Sequence, residues 1–141
     1  YINFDVWNKG NLVVGHEQKI REFMERGGKI VAGIVPTNLS DLQTYFGERG
    51  QEIKDLNTVT SNPMVKWSLL EECYRRVGNL VSKLSPSIDL KTILDHLVIS
   101  PQCGLGGLVP YDRSQAVEYT KMVYEMTQKV AQEMVKLERF A

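Results

Sequence analysis

The chain has few of the residues that mark several common classes of protein. Its 141 residues include two cysteines and two histidines, and no apolar run approaches the ~20 residues that cross a bilayer. Lysine and arginine together number 17, as do aspartate and glutamate, so neither sign of charge is in excess. These shortages argue against a disulfide scaffold, a membrane protein and a nucleic-acid-binding protein.

What is present fits one soluble domain. A length of 141 residues with 43% hydrophobic residues predicts a single domain, 1–141. The chain starts at Tyr1 without a recognisable signal peptide, which suggests a processed or truncated piece. Cys73 lies between apolar residues of a helical pattern and is expected in the core. We therefore expect a reduced, cytoplasmic protein without a nucleic-acid or membrane partner.

Hydrophobic periodicity predicts an α/β fold. Three strands are expected at residues 1–7, 29–35 and 96–100, separated by helices in the order β-α-β-α-α-β-α. Strands that alternate with helices form parallel sheets. Three parallel strands leave two open edges and one open face, so the pattern indicates part of a larger (β/α)8 TIM-type barrel.

Two further features of the chain carry structural expectations. Gly33, inside the second strand, predicts the close approach of another backbone or side chain. Residues 47–61 are polar and lack a clear period, and we expect a surface insertion with some helix near residues 51–56.

Asp5 is the first candidate site residue. In the alternating segment YINFDVW, Ile2, Phe4 and Val6 share one face, while Asn3 and Asp5 share the other. An acid on the polar face near a strand's carboxyl end suits a functional site. The structural alternative is that Asp5 caps the segment that follows or forms a salt bridge with it.

Cys103 is the second candidate. It lies in ISPQCGLGGL, which follows the third strand with a turn containing glycines at 104, 106 and 107. Ligands and chemistry concentrate at the carboxyl ends of strands in parallel α/β folds. Asp5 and Cys103 are therefore expected at the same end of the sheet.

The segments GGKIVAGIVPT and LVISPQCGLGGL give the chain a recognisable family. Together they resemble the C-terminal portion of cobalamin-independent methionine synthase-like proteins, in the superfamily that includes uroporphyrinogen decarboxylase. The resemblance covers the chain apart from residues 47–61. It implies that the chain corresponds to the last three βα units of a (β/α)8 barrel.

The resemblance also implies a zinc site and a reaction. Family enzymes use zinc to activate a thiol substrate, which accepts a methyl group from a folate-type donor. The cysteine ligand falls on Cys103, and a carboxylate ligand, usually glutamate in the family, falls on Asp5. The remaining histidine and cysteine ligands have no counterpart here, so the chain is expected to be inactive alone. A non-catalytic alternative is a truncated segment that self-associates as a homo-oligomer or pairs with the remaining barrel half.

Three other hypotheses compete for the same loop. The metal-free decarboxylase branch of the superfamily binds tetrapyrrole through motifs that have no match here. Cys103 near a helix N-terminus could be a reactive thiol, although no histidine is placed by sequence to act as its base. The loop of residues 104–107 could bind phosphate, although its glycines are also what a tight turn requires.

Overall fold

The molecule is an α/β structure in which helices alternate with three strands. A computed structural model of the chain describes residues 1–102, 105, 108 and 110–140. Short 3₁₀ segments at Gly10–Val13 and Leu137–Phe140 extend helical regions. The main elements of the described residues are β1 (Ile2–Asp5), α1 (Val6–Lys9), α2 (Glu17–Glu25), β2 (Ile30–Val35), α3 (Leu39–Gly47), α4 (Leu56–Thr60), α5 (Pro63–Leu84), α6 (Leu90–His96), β3 (Leu97–Pro101) and α7 (Arg113–Lys136).

The strands form one parallel sheet in the order β1-β2-β3, which confirms the parallel arrangement expected from the sequence. Asp5 is paired in register with Gly33, which is paired with Ser100. The carboxyl ends of all three strands therefore meet at one edge of the sheet, which we call the carboxyl rim.

The two faces of the sheet differ in burial. Ile30, Ala32 and Leu97 point to one face and are buried under helices. Their neighbours Asn3 and Val98 point to the opposite face and are exposed. Because side chains alternate along a strand, one face belongs to the core and the other is open.

Helices α5 and α7 pack on the covered face. Cys73 in α5 is fully buried, and its Sγ lies 3.9 Å from the carbonyl oxygen of Ile34. Tyr119 in α7 is also fully buried, and its hydroxyl donates a 2.6 Å hydrogen bond to the carbonyl oxygen of Pro36. The prediction that Cys73 is a core residue is confirmed.

Two predicted segments need correction. The first strand ends at Asp5 rather than at residue 7, because Asp5 caps α1 and Val6 and Trp7 turn into the core. The surface insertion predicted at 47–61 is wrong for its second half, where Ile53, Leu56 and Val59 are buried. Leu56 and Val59 are three residues apart in α4 and share one face of it, and Ile53 precedes the helix, so the segment contributes a patch of core around α4.

No helix in the described part of the chain combines the length and the apolar character needed to cross a membrane.

Candidate functional site

Four polar side chains meet at the carboxyl rim, and we call them the rim cluster: Asp5, Asn8, Asp41 and Gln102. The Gln102 side-chain amide donates hydrogen bonds to Asp5 Oδ2 at 3.2 Å and to Asp41 Oδ2 at 2.9 Å. The Asn8 side-chain amide donates to the same two oxygens, at 3.2 and 3.3 Å. Two carboxylates are thus joined by two amides in a closed ring of hydrogen bonds.

Each residue of the rim cluster is placed by a separate local structure. Asp5 is the N-cap of α1 and accepts a 3.1 Å hydrogen bond from the Asn8 backbone N–H, which sets the position of both residues. Asn38 caps α3 by accepting from the backbone N–H groups of Ser40 and Asp41, and so fixes where Asp41 enters the helix. The cap alternative considered for Asp5 is therefore correct, and the same carboxylate also faces Gln102.

The chain after β3 reaches the cluster by crossing the end of β2. The Gln102 backbone N–H donates a 2.8 Å hydrogen bond to the carbonyl oxygen of Val35, and its side-chain carbonyl accepts from the Thr37 backbone N–H at 3.4 Å. A Cβ on Gly33 would lie only 2.3 Å from the Gln102 carbonyl oxygen. The predicted close approach at Gly33 is confirmed, and the Gln102 backbone is the group that approaches.

The electrostatics of the rim cluster depend on the two amides. Two carboxylates that share hydrogen-bond donors would repel each other if nothing lay between them. Each amide NH2 has two N–H bonds and gives one to each carboxylate, so the positive ends of four N–H dipoles separate the charges. The ring is therefore an arrangement that holds two negative side chains at one place.

The described residues supply only part of a zinc site. Catalytic zinc takes three protein ligands and leaves one position open. The described part of the chain contains no group of three histidine, cysteine, aspartate or glutamate side chains that could hold a metal ion. Asp5 and Asp41 are both carboxylates of the right chemistry, and each already accepts hydrogen bonds from amides. The fit to zinc is incomplete, and no chemical step is assigned to a metal.

The structure places one of the two predicted site residues. Asp5 lies at the carboxyl rim, as expected from its position in the first strand. Cys103 and the glycines at 104, 106 and 107 lie outside the described residues, so the zinc-ligand, reactive-thiol and phosphate-loop hypotheses for them stay predictions. Gln102, which immediately precedes Cys103 in the sequence, contacts Asp5 through its side chain.

Sequence reasoning missed three members of the rim cluster. Asn8 and Gln102 belong to no recognisable motif, since single amide side chains near strand ends are common. Asp41 could have been noticed, because an acid three residues after a capping asparagine marks the first turn of a helix at a strand end. None of these signals would have shown that the three residues meet Asp5.

The second cysteine has different surroundings. Burial raises the pKa of the Cys73 thiol to about 12, with smaller opposing effects of Arg76, which lowers it, and Glu72, which raises it. A thiol of this kind is protonated at neutral pH and is a poor nucleophile or metal ligand. Cys73 is therefore a structural residue.

Comparisons of the chain with protein-family models, curated proteins and solved structures find no match. The family suggested by the sequence motifs therefore stays a prediction that rests on those motifs alone.

Proposed function

We propose that this chain supplies the C-terminal βα units of a cobalamin-independent methionine synthase-like barrel. In the intact barrel its function would be zinc-dependent methyl transfer from a folate-type donor to a thiol, and the chain alone would be inactive. The observation that carries the proposal is the hydrogen bond from Gln102 to Asp5 at the carboxyl rim. It brings the residue next to Cys103 into contact with the proposed carboxylate ligand.

The architecture supports a place in a larger barrel. Three parallel strands carry helices on one face, while the opposite face holds exposed Asn3 and Val98. In a (β/α)8 barrel the face without helices becomes the packed interior, and the carboxyl rim carries the active site. Additional βα units would cover the open face and bring further side chains to the rim cluster.

The residues of this chain would have distinct roles at such a site. Asp5 and Cys103 would be two ligands of the zinc ion, and Asn8 and Gln102 would orient the Asp5 carboxylate. A bound zinc ion would lower the pKa of the substrate thiol, so that the thiol is ionised at neutral pH. Two protein ligands bind zinc weakly, which explains why the chain alone is expected to lack activity. A reducing, cytoplasmic location would keep Cys103 available as a thiol.

Zinc measurement on the full-length gene product that contains this chain tests the proposal. We expect about one zinc per protein after dialysis, as a site with three protein ligands would retain. Cys103→Ser should lose most of this zinc, whereas Cys73→Ala, the matched change at the other cysteine, should retain it. Asp5→Asn should lower zinc content while preserving the cap, because asparagine is also a good N-cap residue. Asp55→Asn is its control, since Asp55 is also an N-cap and its hydrogen bonds are with Thr58 of α4.

Two results would contradict the proposal. One is unchanged zinc content in Cys103→Ser, which would remove the metal role of this cysteine. The other is a zinc-loaded protein that transfers no methyl group from a methyl-folate to any thiol supplied. Methyl transfer that falls in parallel with zinc across the variants would support it.

A second candidate function has its own supporting observation. Apolar residues are exposed at both sheet edges, with Ile2 48% and Val98 37% exposed. Further strands can pair with the open parallel edges, and another layer of structure can pack on the uncovered face. In this alternative the chain is a non-catalytic segment that self-associates through its sheet or pairs with the missing N-terminal half. Light scattering that gives the monomer mass at high concentration would argue against self-association.

A further inference from the structure

A basic cleft borders α1, and its lining includes Asn8, which also belongs to the rim cluster. It has a volume of about 340 Å³ and lies between residues 6–11 and the C-terminal half of α5. Three of its lining side chains are cations, and none of the described residues that line it is acidic. The residues that matter for its chemistry are Trp7, Asn11, Arg75, Arg76, Asn79 and Lys83.

Glu72 holds the two arginines in place from beneath the cleft. It is 5% exposed and lies one turn before them on α5. Arg75 donates to both carboxylate oxygens of Glu72, at 2.5 and 2.8 Å, and Arg76 donates to one of them at 2.7 Å. Burial alone would raise the pKa of Glu72, but the hydrogen bond from Arg75 and the charge of Arg76 outweigh it and lower that pKa. The carboxylate therefore stays ionised and fixes both guanidinium groups.

Trp7 and Asn11 complete the alignment of the cations. The Arg76 guanidinium lies 3.9 Å above the centroid of the Trp7 ring and donates to the Trp7 carbonyl oxygen. Lys83, two turns further along α5, donates from Nζ to Asn11 Oδ1 at 2.5 Å. Both contacts join α5 to the segment that follows β1, so the cations are held by residues of the opposite wall.

The contacts described above leave the cleft with net positive charge and with hydrogen-bond donors that they do not use. The cleft has three cations, and one carboxylate, that of Glu72, faces them. Each guanidinium has five N–H bonds. Hydrogen bonds within the described residues use two of the five on each arginine. The remaining donors of Arg75 and Arg76, the ammonium of Lys83 and the amide of Asn79 border the same volume. Fixed donors with net positive charge favour an anion with several oxygen atoms.

We propose that this cleft is a binding site for a phosphate group, either free or carried by a small organic molecule. A phosphate presents acceptor oxygens in several directions and carries up to two negative charges, which matches the excess of two cations over carboxylates. An arginine pair clamped by a buried carboxylate loses little side-chain freedom when it binds an anion. The cleft shares Asn8 with the rim cluster, but none of its cations belongs to that cluster, and the proposal does not depend on the methyl-transfer proposal.

Isothermal titration calorimetry on the full chain tests the site with three probes at constant ionic strength: inorganic phosphate, glycerol phosphate and acetate. We expect saturable one-to-one binding of phosphate or of the ester and weaker binding of acetate. Tighter binding of glycerol phosphate would identify an organic phosphate as the ligand, and tighter binding of inorganic phosphate would identify the free ion. Absence of saturable heat with both phosphates would overturn the proposal.

Two pairs of variants distinguish specific phosphate binding in the cleft from non-specific attraction to positive charge on the protein. Lys83→Gln should weaken phosphate binding roughly tenfold, as expected when one charge-assisted hydrogen bond is lost. Lys129→Gln, at an exposed position on α7, should leave it unchanged. Asn79→Asp, which adds a carboxylate at an exposed position in the cleft, should abolish binding, whereas Gln128→Glu on α7 should not. Equal losses in the cleft variants and their controls would show non-specific attraction and overturn the proposal.

Discussion

The covered and open faces of the sheet are built from the same three strands and have different surroundings. On the covered face, Ile30, Ala32 and Ile34 of β2 are buried under the helices. On the open face, Asn3 and Val98 are exposed, and Gly33 is buried because the Gln102 backbone crosses it. The covered face therefore holds most of the buried apolar side chains of β2, to which Val35 adds at the carboxyl rim, while the open face carries the exposed side chains of the edge strands. The predictions below test this difference, from the largest expected effect to the smallest.

Ile34→Ala should give the largest loss of stability. Ile34 is fully buried on the covered face beside α5, and its truncation leaves a cavity that the packed helices cannot fill. We expect the free energy of unfolding to fall by about 2–5 kcal/mol. This loss is measured by urea denaturation, in which the dependence of the free energy of unfolding on urea concentration should be the same for variant and parent. A loss no larger than that of Val98→Ala would show that the two faces contribute equally.

Gly33→Ala should be the next most damaging change. The added Cβ would lie 2.3 Å from the Gln102 carbonyl oxygen. The Cβ is fixed rigidly to the β2 backbone and the oxygen belongs to the backbone after β3, so the two segments must separate. We expect a loss of about 1–3 kcal/mol by overpacking. Gly78→Ala is the control, because a Cβ there meets nothing within 4 Å and alanine stabilises a helix by up to ~1 kcal/mol. Thermal unfolding that ranks the two variants in the opposite order would exclude the close approach.

The buried thiol of Cys73 should make the covered face sensitive to alkaline pH. The folded protein holds the proton up to a pKa of about 12, while the unfolded chain releases it near 9.0. Deprotonation favours the unfolded state in this window, so stability falls as pH rises above 9.0 and the loss levels off near 12. One pH unit above 9.0 the loss is about 1.4 kcal/mol.

The measurement compares the pH dependence of unfolding in Cys103→Ser with that in Cys103→Ser/Cys73→Ala, which differ in one thiol. Lysine and tyrosine titrations are common to both proteins and cancel in the difference. The curve of the protein that retains Cys73 should fall more steeply above pH 9.0. Parallel curves would mean that burial of this thiol does not disfavour its charged form.

Val98→Thr should have the smallest effect. Val98 is 37% exposed on the open face, and threonine keeps the branched shape that suits a strand. We expect a change within about 0.5 kcal/mol. The matched substitution Val35→Thr places a hydroxyl at a fully buried position of β2 and should cost about 1–3 kcal/mol. Similar losses in the two variants, measured by urea denaturation, would indicate that the open face is covered in solution.

Local sequence patterns predicted the strands, the long helices and the parallel order. Period-two alternation before Asp5 predicted the first strand, and the apolar run around Gly33 predicted the second. These features follow from contacts between residues that are close in sequence, so a periodic pattern carries them. The prediction for residues 47–61 was wrong because the apolar residues of this segment are sparse, and only the packing of α4 against α5 and α7 makes Leu56 and Val59 part of the core.

The sequence by itself determined the three strands, their parallel order, the core position of Cys73 and the place of Asp5 at a strand end. Only the tertiary structure decided which side chains meet there. Gln102 and Asp5 are 97 residues apart, and their hydrogen bond depends on the parallel register and on the path of the chain across Gly33. Arg76 and Trp7 meet through the packing of α5 against the segment after β1. The periods of helices and strands are set by residues that are close in sequence. The contacts between Gln102 and Asp5 and between Arg76 and Trp7 depend instead on how distant segments cross, and no local sequence pattern contains that information.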